Sequence, residues 1–416
     1  MSSPDSLSED ERGVLESVVR DHGTPTFVYF TDRIAAQIDA LRLAFAGRFL
    51  VSYAMKCNPN PAVLKWMSTQ VEGLDVSSRG ELQAGLSAGW APERISFTGP
   101  AKQRLDLEVA VRSGTGEVVL ESLREARLLD QVAQEQGTRQ RVLIRISPSA
   151  VPKGFGSNMS GKATQFGVDE EELLDVLDEM ARLRYLSIVG FHAYSGTQCL
   201  KADAIAENWL NFMRLFEMAS EHLDIVPERL VFGSGLGIRY HEGDSAVDLD
   251  AVAQRVLPEV ARLTSLNRFS QTQFLLETGR FLVGEAGIYL ARVVHTKASR
   301  GRRVVVLDGG MNHHLGAAGH LGMVIHRPYR MQVLTKPSQQ PSEPQDLYGP
   351  LCTTIDTLGK GVALARLDEG DVLAVHASGA YGPSSSPSGF ISHPRAQEFM
   401  VVRSDREVAL IPAAVD

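Results

Sequence analysis

Eight short apolar runs that alternate with longer amphipathic stretches constrain the fold of this chain more than any other feature. The runs are rich in Val, Ile, Leu and Phe and predict buried strands at residues 49–55, 74–76, 95–98, 118–120, 142–146, 188–191, 230–232 and 274–276. Apolar residues at helical spacing predict helices at residues 79–88, 123–136, 170–183, 202–222 and 249–264. Alternation over eight units predicts an α/β fold, a closed (β/α)8 TIM barrel rather than an open doubly wound sheet.

The pattern changes after Glu277. From Ile288 onwards, β-branched runs at 289–296, 303–307, 324–333, 372–376 and 399–411 predict a second, all-β domain. The strand-like run 25–30 is expected to join that sheet, and the proline-rich segment 336–345 is expected to be an exposed loop within it. We therefore expect one domain over residues 31–282 and a second one made of 1–30 plus 283–416.

Charge and cysteine content narrow the range of functions. The 416 residues carry a net charge of −8 and no dense Lys/Arg block, so a surface for nucleic acid or an anionic membrane is not expected. The polar N-terminus has no signal-peptide core and no apolar run is long enough to span a membrane, which predicts a cytoplasmic protein. Cys57, Cys199 and Cys352 lie far apart without metal-ligand spacing, so neither a disulfide framework nor a metal site is predicted.

Unlike polar groups occur at the ends of the predicted strands. In a barrel of this kind the carboxyl ends of the strands meet at one rim, which is where active sites lie. Taken singly, each group has a structural explanation such as a buried ion pair or a helix cap. Their shared position favours one functional constellation, which consists of Lys56, Asp75, Arg145, His192, the Gly233-Ser234-Gly235 segment and Glu277.

Pyridoxal phosphate is the cofactor that this set of residues fits. Such an enzyme needs an amine that binds the aldehyde as an imine, a carboxylate that keeps the pyridine nitrogen protonated, and amides for the phosphate. Lys56, at the polar end of an apolar strand, can supply the amine, and Glu277 can supply the carboxylate. The Gly233-Ser234-Gly235 segment follows the seventh predicted strand, where barrels bind phosphate. Arg280 can direct a guanidinium at the phosphate or substrate, and His192 can stack on the cofactor ring.

Six segments, taken in order, resemble the signature of the fold-type III pyridoxal phosphate decarboxylases. That family includes the diaminopimelate and ornithine decarboxylases. The resemblance implies an alanine racemase-like architecture, a (β/α)8 TIM barrel with a C-terminal all-β barrel domain. The resemblance runs from about Pro25 to the C-terminal region and is carried by the segments at 53–60, 75–82, 191–196, 277–280, 349–356 and 379–382, which read YAMKCNPN, DVSSRGEL, FHAYSG, ETGR, GPLCTTID and GAYG.

The resemblance implies roles for individual residues. Lys56 would bind the cofactor, Glu277 would meet the pyridine nitrogen, and Asp75, Arg145 and His192 would flank the ring. Other residues would surround the phosphate, namely Ser195, Gly235, Gly279, Arg280 and Tyr381. The substrate would meet Cys352, Thr353 and Asp356, and Cys352 would be the proton donor. The resemblance also implies a homodimer in which Cys352 completes the active site of the other subunit.

Two departures from the family pattern bear on the substrate. Thr353 stands where members that act on diamino acids carry an acidic residue, so this position offers no charge to a distal ammonium. His313 and His314 stand where diaminopimelate enzymes continue into an Arg-Pro run, and adjacent histidines are poorly placed to chelate one metal. We expect these histidines to be pocket or surface groups. The substrate is accordingly expected to lack a distal ammonium.

Both departures resemble the butirosin-pathway branch of the family, whose decarboxylase acts on a glutamyl group thioesterified to an acyl carrier protein. The glycine-rich insertion 153–162 is similar to one in that branch, and we expect either a mobile loop or a substrate lid that contacts a carrier. A small-molecule or carrier-linked amino-acyl substrate in a biosynthetic pathway is therefore expected.

Several alternatives stay open from the sequence. Decarboxylation of diaminopimelate, ornithine or lysine is the first. An amino-acid racemase would also bind pyridoxal phosphate on a barrel lysine, but Glu277 stands where racemases favour an arginine. A non-catalytic pyridoxal phosphate homeostasis protein would lack the β domain, and an antizyme-inhibitor-like protein would be expected to lose cofactor residues.

Overall fold

A computed structural model of the chain describes residues 7–321, 326–403 and 408–412. Two compact units divide the described residues. One consists of Ala35–Ile238 and Ala246–Phe281, and the other of the described parts of Met1–Ile34, Arg239–Ser245 and Leu282–Asp416. Within the described residues no helix is long and apolar enough to cross a membrane.

The first unit is a closed barrel of eight parallel strands, as the sequence predicts. Each strand pairs with the next along the chain, and the eighth strand pairs with the first, Thr278 opposite Tyr53. In this order the strands are Phe49–Ala54, Gly73–Val76, Ile95–Phe97, Glu117–Leu120, Gln140–Ser147, Leu186–Ala193, Arg229–Gly233 and Gln273–Thr278.

Helices follow the barrel strands and begin at polar caps. The hydroxyl groups of Ser78 and Ser122 accept hydrogen bonds from the amides of Glu81 and Glu125 at 3.1 and 3.3 Å. These bonds satisfy amides of the first turn and so favour the start of a helix at each serine. The helices of this unit lie at Pro61–Met67, Arg79–Ser87, Arg104–Arg112, Leu123–Glu135, Leu173–Met180, Ala202–His222 and Leu249–Ser265. Two further helices, Thr31–Ala44 and Arg280–Val283, have residues assigned to each of the two units.

The alternation of side chains along each strand separates two cores. Six apolar side chains from six strands form one cluster, Leu50, Val119, Leu143, Val189, Val231 and Leu275. Phe49, Phe232 and Phe274, at adjoining positions on their strands, instead pack around Trp209 of a surrounding helix or against one another. Because successive side chains alternate in direction, a residue two positions after a member of the first cluster faces the same interior.

The second unit is built on a nine-stranded sheet. Strand Gly287–Ser299 pairs with three others, one of which is the N-terminal strand Thr26–Phe30. The prediction that residues 25–30 join this sheet is thus confirmed. The remaining strands are Arg302–Leu307, Met331–Val333, Gln345–Tyr348, Thr357–Val362, Val372–Val375, Gln397–Arg403 and Val408–Pro412.

A helix covers one face of this sheet. The helix spans Glu9–His22 and begins at Ser8, whose hydroxyl accepts the Glu11 amide while the Glu11 carboxylate accepts the Ser8 amide. Leu15 and Val18 pack from it into the same core as Val28 and Phe399. That the second unit completes a dimeric active site stays a prediction.

Three predicted details of the second unit are wrong. One strand over 324–333 is replaced by Met331–Val333, because Pro328 cannot donate to a sheet, and residues 322–325 lie outside the described part. The run 399–411 forms two antiparallel strands, Gln397–Arg403 and Val408–Pro412, instead of one. The exposed loop stops before Gln345, which is buried and begins a strand.

Candidate active site

A polar layer lies above the apolar cluster of the barrel. Glu121, Arg145 and Glu277 each follow a cluster member by two positions and share its direction. Lys56 lies in the short 3-10 turn Met55–Cys57 just past the first strand. His192 and Glu277 lie within their strands, whereas the sequence predicts that they follow them. The carboxyl ends of the strands therefore bring most of the predicted residues together.

Lys56 lies between two buried carboxylates. Its Nζ is 2.8 Å from Asp75 Oδ2 and 3.6 Å from Glu277 Oε1. Thr98 donates a hydrogen bond of 2.5 Å to the other oxygen of Asp75. The other oxygen of Glu277, Oε2, lies 3.1 Å from His192 Nε2. The four predicted residues Lys56, Asp75, His192 and Glu277 thus form one connected network.

The two carboxylates differ in their electrostatic surroundings. Burial raises the pKa of Asp75 to about 7, the nearby Glu277 charge adds to the shift, and Lys56 and Thr98 oppose it. Burial also acts to raise the pKa of Glu277, but Lys56, His192 and Arg145 outweigh it and hold that pKa below its usual range. Glu277 is therefore the carboxylate that stays ionised when the pair takes up a proton.

Arg145 belongs to a second buried ion pair. Its Nη1 donates to Glu121 Oε1 at 2.9 Å, and the guanidinium lies 4.6 Å from the centre of the Phe166 ring. Glu121 also accepts the backbone amide of Gly167 at 2.7 Å. One carboxylate therefore fixes both the arginine and the end of the long segment that follows the fifth strand.

The predicted phosphate segment has little room for side chains. Gly235 has φ of +68°, and a Cβ there would lie 2.6 Å from Phe155 Cε1 and 2.8 Å from the Gly196 carbonyl oxygen. A Cβ on Gly233 would lie 2.4 Å from the Tyr194 ring, and the Ser234 amide donates to the Glu277 carbonyl at 2.9 Å. The backbone approaches its neighbours closely here.

The glycine-rich insertion 153–162 is paired with residues 195–197 and limits the space at Gly235. Ser157–Asn158 forms a two-stranded sheet with Gly196–Thr197, and the Met159 amide donates to the Ser195 carbonyl at 2.7 Å. Phe155, which precedes this sheet, is the side chain that limits Gly235. The insertion therefore lies beside the residues predicted to hold phosphate.

The residues of the barrel fit pyridoxal phosphate on two structural grounds. Ser195 Oγ and His192 Nδ1 are buried and have no hydrogen-bond partner among the described residues, which leaves a donor and an acceptor for a polar ligand. The second ground is the position of Arg280. A Cβ on the preceding Gly279 would lie 2.7 Å from both Ala54 O and Cys57 Sγ, so the backbone that leads into Arg280 packs closely against the end of the first strand. The network also offers the amine of Lys56 and the ionised carboxylate of Glu277, which the aldehyde and the pyridine nitrogen of this cofactor need.

Four predicted residues belong to the all-β unit. Cys352 is exposed, Thr353 and Tyr381 are half-buried, and Asp356 is buried. Asp356 Oδ1 accepts the Met311 amide at 2.6 Å and Oδ2 accepts the Leu351 amide at 2.9 Å, so it fixes the turn that carries Cys352. Its predicted contact with the substrate stays a prediction. Tyr381 has φ of +56°, a strained value for a tyrosine.

Neither histidine of the Asn-His-His segment is a surface group. His313 donates or accepts at Tyr289 Oη and lies 2.8 Å from the Pro394 carbonyl oxygen, and His314 Nε2 is 3.0 Å from Ser378 Oγ. Burial lowers the pKa of His314 to about 3. Both side chains are part of the interior of the all-β unit. Among the described residues no cluster of His, Cys, Asp and Glu suited to a metal ion was found.

Two residues of the network were missed in the sequence. Thr98 and Glu121 each follow a barrel strand directly, at Ile95–Phe97 and Glu117–Leu120. The rule that selects Lys56 would select both. Neither stands out in the sequence, because threonine and glutamate after a strand also occur as ordinary caps of the next helix.

Comparison with known proteins gives a consistent match along the chain. Residues 31–284 match the pyridoxal binding domain of the pyridoxal-dependent decarboxylases. The chain is 34% identical over 396 residues to the L-glutamyl-[BtrI acyl-carrier protein] decarboxylase of Niallia circulans, covering 94% of this chain and 91% of that protein.

Diaminopimelate decarboxylases are also similar. The enzyme of Helicobacter pylori strain J99 is 30% identical over 400 residues, covering 95% of this chain and 94% of that protein. A crystal structure of the Helicobacter pylori enzyme complexed with L-lysine matches with a TM-score of 0.83 and 29% identity, over 96% of this chain and 97% of that one.

Proposed function

The chain belongs to the family of pyridoxal-dependent decarboxylases, and on this basis we propose that it decarboxylates a glutamyl group carried as a thioester on an acyl carrier protein. The reaction class follows from the family: the protein is a pyridoxal phosphate-dependent carboxy-lyase. What carries the choice of substrate is Thr353, which is neutral, together with the similarity to a decarboxylase of a carrier-bound glutamyl group.

Atom balance fixes which carboxyl group carries the thioester. Loss of carbon dioxide from the α-carbon requires a free α-carboxylate, so the carrier must hold the γ-carboxyl group. The product is then a 4-aminobutyryl thioester, with a proton in place of the carboxylate. A γ-thioester has neither a distal ammonium nor a distal carboxylate, which agrees with a neutral residue at position 353.

We assign the cofactor to the polar layer of the barrel and its neighbours. Pyridoxal phosphate, when bound, supplies a sink for the electron pair that the departing carbon dioxide leaves behind. In this assignment Lys56 supplies the amine, and Glu277 holds a proton at the pyridine nitrogen because its neighbours keep it ionised. The other groups that would hold the cofactor are Asp75, Arg145, His192, Ser195, Gly233, Ser234, Gly235, Gly279, Arg280 and Tyr381.

Cys352 is the residue we assign to the last proton transfer. Its thiol is exposed in the single chain and can donate a proton to the α-carbon after carbon dioxide has left. We propose that it does so in the active site of a partner subunit, so that the working form is a homodimer with shared sites. Asp356 would act through the loop, because its two backbone hydrogen bonds hold the turn that bears Cys352.

Diaminopimelate decarboxylation is the second candidate. It is favoured by the 30% identity to the Helicobacter pylori enzyme over 95% of this chain. Against it stands Thr353, which gives a distal ammonium no counter-charge. A cytoplasmic location, suggested by the sequence, stays a prediction.

The test is a substrate panel for release of carbon dioxide. The purified enzyme with pyridoxal phosphate is assayed with carrier-bound γ-glutamyl thioester, the γ-glutamyl pantetheine thioester, free L-glutamate, meso-diaminopimelate, L-ornithine and L-lysine. We expect turnover of the thioesters at least about a hundredfold above that of the free amino acids, a difference of roughly 3 kcal/mol. Efficient turnover of diaminopimelate with none of the thioesters would reject the proposal.

A further inference from the structure

A recess in the all-β unit lies directly beside the turn that carries Cys352. Its volume is about 320 Å³, and its lining includes side chains from three segments, His320, His326, Thr354, Ile355, Thr357 and Lys360. Thr354 and Ile355 belong to the Gly-Pro-Leu-Cys-Thr-Thr-Ile-Asp segment. We call this feature the cationic recess.

The cationic recess is held in place by its own hydrogen bonds. His320 Nε2 donates to the Ile355 carbonyl at 2.9 Å, and His326 Nε2 donates to the Ala317 carbonyl at 3.2 Å. Thr357 donates to the Thr354 carbonyl at 3.1 Å. Gly319 has φ of +82°, and a Cβ there would lie 2.6 Å from the His326 ring. The lining is therefore ordered around the turn that follows Cys352.

The charge of the recess is one-sided. Its described lining contains Lys360 and two histidines but no carboxylate. Besides burial, which is the largest effect, His320, His241 and Lys360 all lower the pKa of His326, so these basic groups face one another. Asp346 does interact with Lys360, but both of its oxygens are held by Arg302 at 2.5 Å, and one of them also accepts the Gly361 amide. A ligand of negative charge is the natural complement.

Apolar side chains flank these basic groups. Ile355 is 51% exposed and Leu321, next to His320, is 38% exposed. Diaminopimelate, ornithine and lysine, the alternative substrates, are charged at both ends and have no branched apolar group to cover such a flank. A phosphopantetheine arm has both parts, because its phosphodiester is anionic and its dimethyl group is apolar.

We propose that the cationic recess binds the phosphate of the phosphopantetheine arm that presents the substrate. This inference rests on the proposed function, since only a carrier-bound or phosphopantetheine substrate has this group. Lys360 supplies the charge, the Thr354 hydroxyl a hydrogen bond, and Ile355 the apolar contact. Thr354 lies two residues after Cys352, so the cationic recess borders the segment that carries this thiol.

The test compares two γ-glutamyl thioesters that differ only in the phosphate, those of 4′-phosphopantetheine and of pantetheine. For the wild-type holoenzyme we expect KM about tenfold lower for the phosphorylated thioester, at equal kcat. The difference should shrink as ionic strength rises. Lys360→Gln should remove the difference by raising KM for the phosphorylated thioester alone. The control Lys297→Gln changes an exposed lysine on the strand Gly287–Ser299 and should leave both KM values unchanged.

The outcomes distinguish failure of the phosphate site from failure of the proposed function. Equal KM values for the two thioesters in the wild type would overturn the recess while the proposed function stands. A phosphate preference that survives Lys360→Gln would also overturn it, because the phosphate would then bind elsewhere. If neither thioester is decarboxylated while diaminopimelate is, the proposed function itself fails and the recess with it. Competition by free phosphopantetheine, but not by pantetheine, should give the same ranking of variants without turnover of either compound.

Discussion

At the scale of single residues, the candidate site depends on two carboxylates that share one ammonium group. Asp75 and Glu277 both lie against Lys56, yet only Glu277 has His192 as a second partner. The asymmetry decides which carboxylate keeps its charge. Because the protonation of each group depends on the charges beside it, a single substitution in this network should change the properties of the groups that remain.

Lys56→Ala should remove both the visible absorbance of the lysine-bound cofactor and measurable turnover, because no other described lysine lies within 4.0 Å of Glu277 or Asp75. Absorbance spectra and carbon dioxide release check this directly. Lys65→Ala, at an exposed position of the helix Pro61–Met67, is the matched control and should behave as the wild type. A Lys56→Ala enzyme with its spectrum and turnover intact would remove the assignment.

Asp75→Asn should change how stability depends on pH in the cofactor-free protein. The pKa of Asp75 is raised to about 7 by burial, so the folded protein keeps a proton that the unfolded chain loses near its ordinary pKa of about 4. Wild-type stability should therefore fall as pH rises across this window, by at most about 1.4 kcal/mol per pH unit. The variant lacks this contribution, and thermal unfolding from pH 4 to 7, at about 0.5-unit steps, compares the two slopes. Parallel slopes would contradict the prediction.

Thr353→Glu should move substrate preference towards diamino acids. A carboxylate at this position can pair with a distal ammonium, which the wild-type hydroxyl cannot. We expect the ratio of kcat/KM for ornithine or diaminopimelate over the γ-glutamyl thioester to rise by about tenfold or more. Thr353→Gln introduces nearly the same volume without charge and should leave the ratio unchanged. If the two variants give the same ratio, charge at position 353 does not set specificity.

At the scale of elements, the candidate site lies at the carboxyl ends of the strands and in the loops that follow them, and the strands hold these loops in register. Gly235 is the clearest case, since its positive φ and its contacts with Phe155 and Gly196 leave no space for a side chain. The insertion 153–162 pairs with Gly196–Thr197 through Ser157–Asn158. A substitution at Gly235 should therefore also displace the insertion 153–162.

Gly235→Ala should weaken cofactor binding by about tenfold or more, because the added Cβ displaces Phe155 or the Gly196 carbonyl and the backbone is strained by about 1 kcal/mol. Fluorescence titration with pyridoxal phosphate measures the loss. Gly243→Ala separates the two causes, since Gly243 has φ of +81° but a Cβ added there would meet no described atom within 4 Å. Equal cofactor affinity in the two variants would show that crowding at Gly235 is unimportant.

The barrel was predictable because its strands are fully buried and therefore read as continuous apolar runs. All eight were found, and the errors lie at their ends: the run predicted at 142–146 is in fact Gln140–Ser147, which adds the polar residues Gln140, Arg141 and Ser147. Polar residues inside a strand carry no hydrophobic signal, so the sequence cannot show that they belong to it. Glu121, which fixes Arg145, was missed for another reason: it follows its strand, where a glutamate is also common as a cap of the next helix.

Other features depend on contacts that no local pattern records. The exposed thiol of Cys352 and the buried state of His313 and His314 follow from packing within the all-β unit. The sequence placed both histidines in a pocket or at the surface, because histidine is intermediate in its burial preference. Asp356 shows the same limit, because its motif does not indicate that its carboxylate accepts two backbone amides.

At the scale of the whole molecule, the proposed dimer distributes one active site over two chains. Lys56 and Glu277 belong to the barrel unit, and Cys352 belongs to the all-β unit. If the thiol serves the partner, neither an isolated barrel nor a monomer should decarboxylate efficiently. Mixing inactive variants tests this without a structure of the dimer.

A mixture of Lys56→Ala and Cys352→Ala, after exchange of subunits, should recover about a quarter of wild-type activity, because half of the dimers are mixed and each of these has one intact site of two. Each variant alone should be inactive or nearly so. The control mixture of Lys56→Ala and Glu277→Gln should recover nothing, since both changes lie in the barrel. No recovery in the first mixture would mean that each chain uses its own Cys352.

Because the eighth strand pairs with the first, the candidate site is complete only after the eighth strand has been synthesised. Lys56 leaves the ribosome early and Glu277 late, and the two meet only when Gln273–Thr278 docks beside Phe49–Ala54. Contacts between such distant parts of a chain form slowly. An incomplete chain therefore has Lys56 and Asp75 without Glu277, and binding of the cofactor's aldehyde would distinguish a finished barrel from an unfinished one.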